Sequence, residues 1–155
     1  MKQLILLISL IFSLHSSFAQ DKWSYVTETN ISGSISGTIQ QGYIFKTYDS
    51  EYYAINELTL QLVLTLSPEV QIFRKGSDYK LIIEDFDEPV ICKKITNVIE
   101  TQIDGDFEGW EGETIFKMMN GQIWQQSSYD YTYHYAYSPE VLIYEFQGSW
   151  IMRVV

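Results

Sequence analysis

The sequence predicts an all-β protein, and three observations carry that prediction. No segment beyond the first nineteen residues sustains an apolar repeat at the helical period. Short runs rich in branched and aromatic residues are instead cut by Asn-Gly, Ser-Pro and glycine-containing turns. Finally, blocks of the chain recur: Ile44-Phe45-Lys46 returns as Ile115-Phe116-Lys117, and Ser67-Pro68-Glu69-Val70 as Ser138-Pro139-Glu140-Val141, both 71 residues on. Upstream, Glu28-Thr29, Ile31, Gly33 and Gly37 match Glu100-Thr101, Ile103, Gly105 and Gly109 at a spacing of 72, one residue having been gained or lost between. Solenoid repeats run to ~20 to 50 residues, so a period this long makes each copy a small domain or half of one.

The organisation follows in order along the chain. Residues 1–19 pair a basic Lys2 with an apolar run over residues 4–14 and the small-residue pattern Ser17-Phe18-Ala19, which reads as a secretory signal peptide. That run is shorter than the ~20 residues a bilayer span needs, and no cysteine stands at the cleavage site to take a lipid. The expected product is exported, to the periplasm or the extracellular space. Residues 20–96 form the first β repeat and residues 97–155 the second. In the second, strands are expected over residues 114–118 and 122–126 around a two-residue type I′ turn at Asn120-Gly121. A third is expected over residues 129–137, and a hairpin over residues 141–145 and 150–154 turns at Gln147-Gly148-Ser149. The expected architecture is two tandem related small antiparallel barrels, or a sandwich. At the 71-residue spacing Val155 aligns with Glu84, so if both copies adopt one fold the second is expected to lack its last strand and to leave an edge open, unless that strand is dispensable. Such an edge invites strand addition or homo-oligomerisation.

Composition narrows the classes. With 46% hydrophobic and 15% aromatic residues the chain can build a core without covalent help, and its one cysteine, Cys92, has no intramolecular partner. The net charge of -10, -11 once Lys2 is removed, repels nucleic-acid phosphates and an anionic membrane surface. His134 is the only histidine after residue 19. A Cys92 and His134 dyad lacks any visible third group to orient the imidazole, and Cys92 reads as buried packing within a strand.

Residues 129–137, YDYTYHYAY, place a tyrosine at every second position and align at the 71-residue spacing with LTLQLVLTL, residues 58–66. Five leucines on one face should avoid water, so the leucines and Tyr131, Tyr133 and Tyr135 are expected to point inward. Tyr129 and Tyr137 are then expected at the rim.

The stretch over residues 104–113 carries five carboxylates, where the first copy has serines around the same glycines. Three readings stand: a solvated outer strand face, a calcium site, or a paired-carboxylate hydrolase using Asp104, Asp106 or Glu108. An EF-hand is excluded, because the twelfth position is Ile115 where a bidentate glutamate is required.

The segments Ile103-Asp104-Gly105-Asp106-Phe107-Glu108-Gly109-Trp110 and Asn120-Gly121-Gln122-Ile123-Trp124-Gln125-Gln126, with the alternating tyrosines, resemble a stretch shared by small uncharacterised bacterial secreted β-proteins. The resemblance brings no activity, cofactor or catalytic residue. The strand and turn pattern also looks like a Src-homology-3-like barrel, a fold that hosts many binding functions. The expected function is therefore a non-enzymatic binding module for a protein, peptide or glycan. Trp110, Trp124, Tyr129 and Tyr137 are the expected contacts, tuned by Asp104, Asp106 and Glu108. The alternatives are a small hydrolase using the acidic cluster and a structural, self-associating envelope protein.

Overall fold

The computed structural model describes residues 22–155, and the expected signal peptide lies outside the described residues. Fifteen strands and no helix make up that span: β1 (Ser24–Asn30), β2 (Ser34–Gln40), β3 (Ile44–Lys46), β4 (Tyr52–Ile55), β5 (Leu60–Leu66), β6 (Glu69–Lys75), β7 (Asp78–Ile83), β8 (Val90–Ile95), β9 (Val98–Gln102), β10 (Asp106–Glu111), β11 (Ile115–Lys117), β12 (Ile123–Gln125), β13 (Tyr131–Tyr137), β14 (Glu140–Phe146) and β15 (Ser149–Val154). All pairings are antiparallel. None of the sheets closes into a barrel, so the expected tandem barrels give way to open sheets and two-stranded ribbons.

Residues 97–155 pair as residues 22–83 do. β9 lies on β14 as β1 lies on β6, β10 on β13 as β2 on β5, β11 on β12 as β3 on β4, and β15 on β14 as β7 on β6. The strand entries match at the backbone too. Ile31 N donates to Pro68 O and Ile103 N to Pro139 O, while Ser67 N donates to Gly33 O and Ser138 N to Gly105 O. Ser67 and Ser138 both adopt positive φ, at 49° and 44°. The residue before proline is disfavoured in the right-handed helical region, and here it turns the chain sharply between the ribbon and the next strand.

The halves part at one strand. β8 sits between β7 and β4, joining β1-β6-β7 to β4-β3 in one six-stranded sheet. Among the described residues no strand joins β15 to β12, so β15-β14-β9 and β11-β12 stay separate sheets.

Three cores form. Ile31, Ile35, Phe45, Ile72, Leu81 and Cys92 belong to the first, and Ile103, Phe107, Phe116, Met118 and Ile143 to another. The third lies between the halves, where Ile44, Tyr52, Ala54 and Ile95 meet Leu142, Tyr144 and Phe146. Cys92 is fully buried, and burial pushes its thiol well above the usual range. It lies in the first core, whereas the exposed His134 lies on β13 against Phe107 of the other half, so the two form no dyad.

Two local expectations are corrected. Asn120 keeps a negative φ, and only Gly121, at 85°, is left-handed. Gly121 N donates to Met118 O and Met118 N to Gln122 O, both at 2.9 Å, which makes a longer loop ending in a left-handed glycine and not a type I′ turn. The two-residue turn with both φ positive occurs instead at Gln147-Gly148, 51° and 80°, between the paired Phe146 and Ser149.

The larger correction concerns the alternating rows. Leu58, Leu60, Leu62, Leu64 and Leu66 are 75 to 94% exposed, and Tyr129, Tyr131, Tyr133, Tyr135 and Tyr137 are 57 to 88% exposed, so neither row faces a core. Their partner strands explain why. Ile35 and Ile39 of β2 are buried and lie opposite Thr65 and Gln61, which turns Thr65, Val63 and Gln61 inward and the leucines outward. On β10 the buried Phe107 lies opposite Ala136, which turns the tyrosines outward in the same way. Cross-strand partners share a face, and a β-branched or aromatic residue on the partner strand outweighs the row itself.

Gly109 marks where β10 depends on glycine. Its φ is 105°, and a Cβ there would stand 1.9 Å from Thr132 O and 2.8 Å from His134 N. Gly37, at φ 100° in the first ribbon, has open space around the same position. Gly109→Ala is expected to cost about 3 kcal/mol or more in urea denaturation, and Gly37→Ala only the ~1 to 2 kcal/mol of left-handed backbone.

Candidate functional site

The β10–β13 ribbon brings the expected acidic and aromatic residues onto one surface. Asp106 lies opposite Tyr137, Gly109 opposite Tyr133 and Glu111 opposite Tyr131. A register shift between Phe107 and Gly109 interrupts the alternation on β10. Phe107 and Trp110, three residues apart, then both turn to the core with rings 5.7 Å apart, which strict alternation would forbid. The outer face is left with Tyr131, Tyr133, Tyr135 and Tyr137 from β13 beside Asp106, Glu108 and Glu111 from β10, all exposed. Tyr129 continues the row, its ring lying over the position where Gly112 carries no side chain.

One contact orders this face. The Tyr135 hydroxyl donates to Asp106 Oδ1 at 2.9 Å. That hydrogen bond, together with the negative charges of Asp106 and Glu108, holds the Tyr135 hydroxyl above its usual ionisation range.

The other expected contacts lie elsewhere. Asp104 pairs with Lys117 at 2.7 Å, an interaction that raises the lysine's pKa through the hydrogen bond and the charge. Trp110 packs on Phe107 and Phe116 in the core. Trp124 meets Trp150 at 5.3 Å between ring centres, and its Nε1 donates to Gln122 Oε1 at 3.2 Å. Of the seven, Tyr129, Tyr137, Asp106 and Glu108 share the ribbon face. Sequence reasoning did not place Tyr131, Tyr133, Tyr135 or Glu111 there. The usable signal was β2, where Ile35 and Ile39 alternate with Ser34, Ser36 and Thr38 and so declare the inner face of the ribbon.

No three of the carboxylates meet in metal-ligating geometry among the described residues, so the calcium reading has no ligand cluster behind it. The equivalent outer face of the β2–β5 ribbon is uncharged: Leu60, Leu62, Leu64 and Leu66 stand opposite Gln40, Thr38, Ser36 and Ser34. One ribbon face is thus aliphatic with small polar neighbours, and the other aromatic with carboxylates. No helix among the described residues is long and apolar enough to cross a membrane.

Fold and site define an all-β protein of open antiparallel sheets that displays an aromatic, acidic ribbon face. Compared with known protein families, curated proteins and solved structures, the chain gives no match.

Replacing Asp106 by asparagine removes the charge while keeping an acceptor beside Tyr135. A carbon-13 NMR titration of the tyrosine Cζ resonances is expected to show Tyr135 ionising at lower pH in Asp106→Asn than in the parent chain. An unchanged Tyr135 titration would mean that the contact does not persist in solution.

Proposed function

We propose that the chain is an exported binding module built from two related copies of one β unit, and that its β10–β13 face holds an extended cationic polypeptide segment. The observation that carries this reading is the row of five exposed tyrosines flanked by Asp106, Glu108 and Glu111 on one ribbon face. Same-face residues of a strand repeat at roughly 7 Å, and so do those of an extended segment laid along it. Lysine or arginine at alternate positions of the partner would therefore meet ring faces and carboxylates in register. Each exposed cation–π contact contributes about 0.5 to 1 kcal/mol. Five such contacts sum to at most about 5 kcal/mol, close to the ~4 kcal/mol of millimolar binding. The solvent-open face offers no enclosed substrate, which favours binding over the paired-carboxylate hydrolase.

The test is titration of residues 20–155 with an alternating Arg-Ser peptide, read by calorimetry at low and physiological salt. The parent chain is expected to bind saturably and more weakly as salt rises. Tyr131→Ala/Tyr133→Ala, which leaves the charge intact, is expected to weaken binding at least fivefold, and Asp106→Asn/Glu108→Gln comparably. Equal binding by the tyrosine variant would reduce the effect to net charge and overturn the reading. Loss in the tyrosine variant alone, with binding transferred to neutral oligosaccharides, would point to a glycan instead.

The leucine face supports a second reading, self-association. Five leucines at 75 to 94% exposure form an uncharged apolar strip of the kind monomeric proteins avoid. Sedimentation is expected to show a concentration-dependent dimer that Leu62→Asp/Leu64→Asp abolishes. A parent chain that stays monomeric at high concentration would remove this reading.

A further inference from the structure

The place where the halves differ carries an inference independent of the ribbon face. In the first half, β8 pairs with β7 through Tyr79 opposite Cys92 and Leu81 opposite Val90, and with β4 through Ile55 opposite Cys92 and Tyr53 opposite Lys94. The side chains of Val90 and Cys92 are fully buried. Tyr53 and Tyr79, on the strands either side of β8, bring their rings to 5.2 Å of each other.

Seventy-one residues on, the same places are taken by Trp124 of β12 and Trp150 of β15, and their ring centres are 5.3 Å apart. The two tryptophans thus bridge β12 and β15 as the two tyrosines bridge the strands flanking β8. Among the described residues β12 pairs only with β11, and β15 only with β14. Between these two edges lies a cleft of about 550 Å³ lined by Trp110, Phe116, Trp124, Trp150 and Met152. The cleft therefore has an aromatic lining, two strand edges and the position that β8 occupies in the other half.

We infer that this cleft is a strand-acceptor site, and that its occupant is an extended polypeptide segment with the side-chain chemistry of β8. The position corresponding to Val90 takes an aliphatic side chain against Met152. The position corresponding to Cys92 lies at the tryptophan pair and takes a small one, because indole rings leave less room than the phenols around Cys92. The edges supply main-chain hydrogen bonds on both sides, and the alternate side chains supply selectivity, as in strand addition elsewhere. An inserted strand would join β15-β14-β9 to β12-β11, as β8 joins the corresponding strands of the first half.

The experiment titrates residues 20–155 with a synthetic peptide of residues 88–96 carrying Cys92→Ala, read by tryptophan fluorescence and by amide exchange in NMR. The expected result is one-to-one saturable binding, with newly protected amides confined to β12 and β15. A second peptide carrying Cys92→Trp at the same position is expected to bind at least tenfold more weakly, and so is the first peptide to a Trp150→Ala chain. Fluorescence that fails to saturate at millimolar peptide would overturn the inference. So would protection on β4 and β7, which would mean exchange with the resident β8, or equal affinity for both peptides. None of these outcomes depends on the tyrosine face, whose own test uses a different peptide.

Discussion

Strand β14 is buried on both faces, and the arrangement of the two halves depends on it. Val141 and Ile143 enter the core of the second half with Phe107, Phe116 and Met118, while Leu142, Tyr144 and Phe146 enter the core between the halves. A fully buried apolar side chain contributes about 1.5 to 3 kcal/mol, so five on one short strand outweigh the polar contacts nearby. Those contacts set the fit. The Tyr144 hydroxyl donates to Gly42 O at 2.7 Å, and burial pushes its pKa up to about 12. Arg153 donates to Ile44 O at 3.1 Å and lies 4.2 Å from the centre of the Tyr43 ring. At the other end of the contact, Glu100 accepts from both Lys46 and Tyr52 across the halves. β6, at the matching place in the first half, buries Val70 and Ile72 fully but leaves Gln71 and Phe73 only half-buried. The two halves are therefore not interchangeable.

The ribbons obey a lighter constraint. Ile35, Ile39 and Val63 anchor one, and Phe107 with Trp110 anchors the other, always from the inner face. Among the described residues the outer faces meet no packing partner, so their chemistry can diverge without cost to the described fold. That is where the two ribbons differ most, leucine with serine and threonine on one, tyrosine with aspartate and glutamate on the other. A tyrosine row withstands exposure better than a leucine row because each ring ends in a hydroxyl that water or a carboxylate can satisfy.

Several features are legible in the sequence. The absence of helical periodicity, the Ser-Pro turns and the burial of Cys92 follow from local composition and spacing. The orientation of residues 58–66 and 129–137 was not legible from those segments, since a strict alternation says only that one face differs from the other. Which face is inner was decided by Ile35, Ile39 and Phe107, residues 22 to 30 positions earlier in the chain than the partners they face. The Asn-Gly dipeptide misled for a related reason: the pairing of residues 118 and 122 sets the loop length, and the loop length dictates which residues turn left-handed.

The sequence by itself determined the strand content, the turn positions and the composition of each alternating row, because these rest on backbone preference and period-two spacing within a few residues. Tertiary structure decided which row meets water, which carboxylates stand beside tyrosines and which edges stay unpaired. Those properties arise from strands distant in the chain competing for the same buried space, and the competition is settled only when all of them are in place.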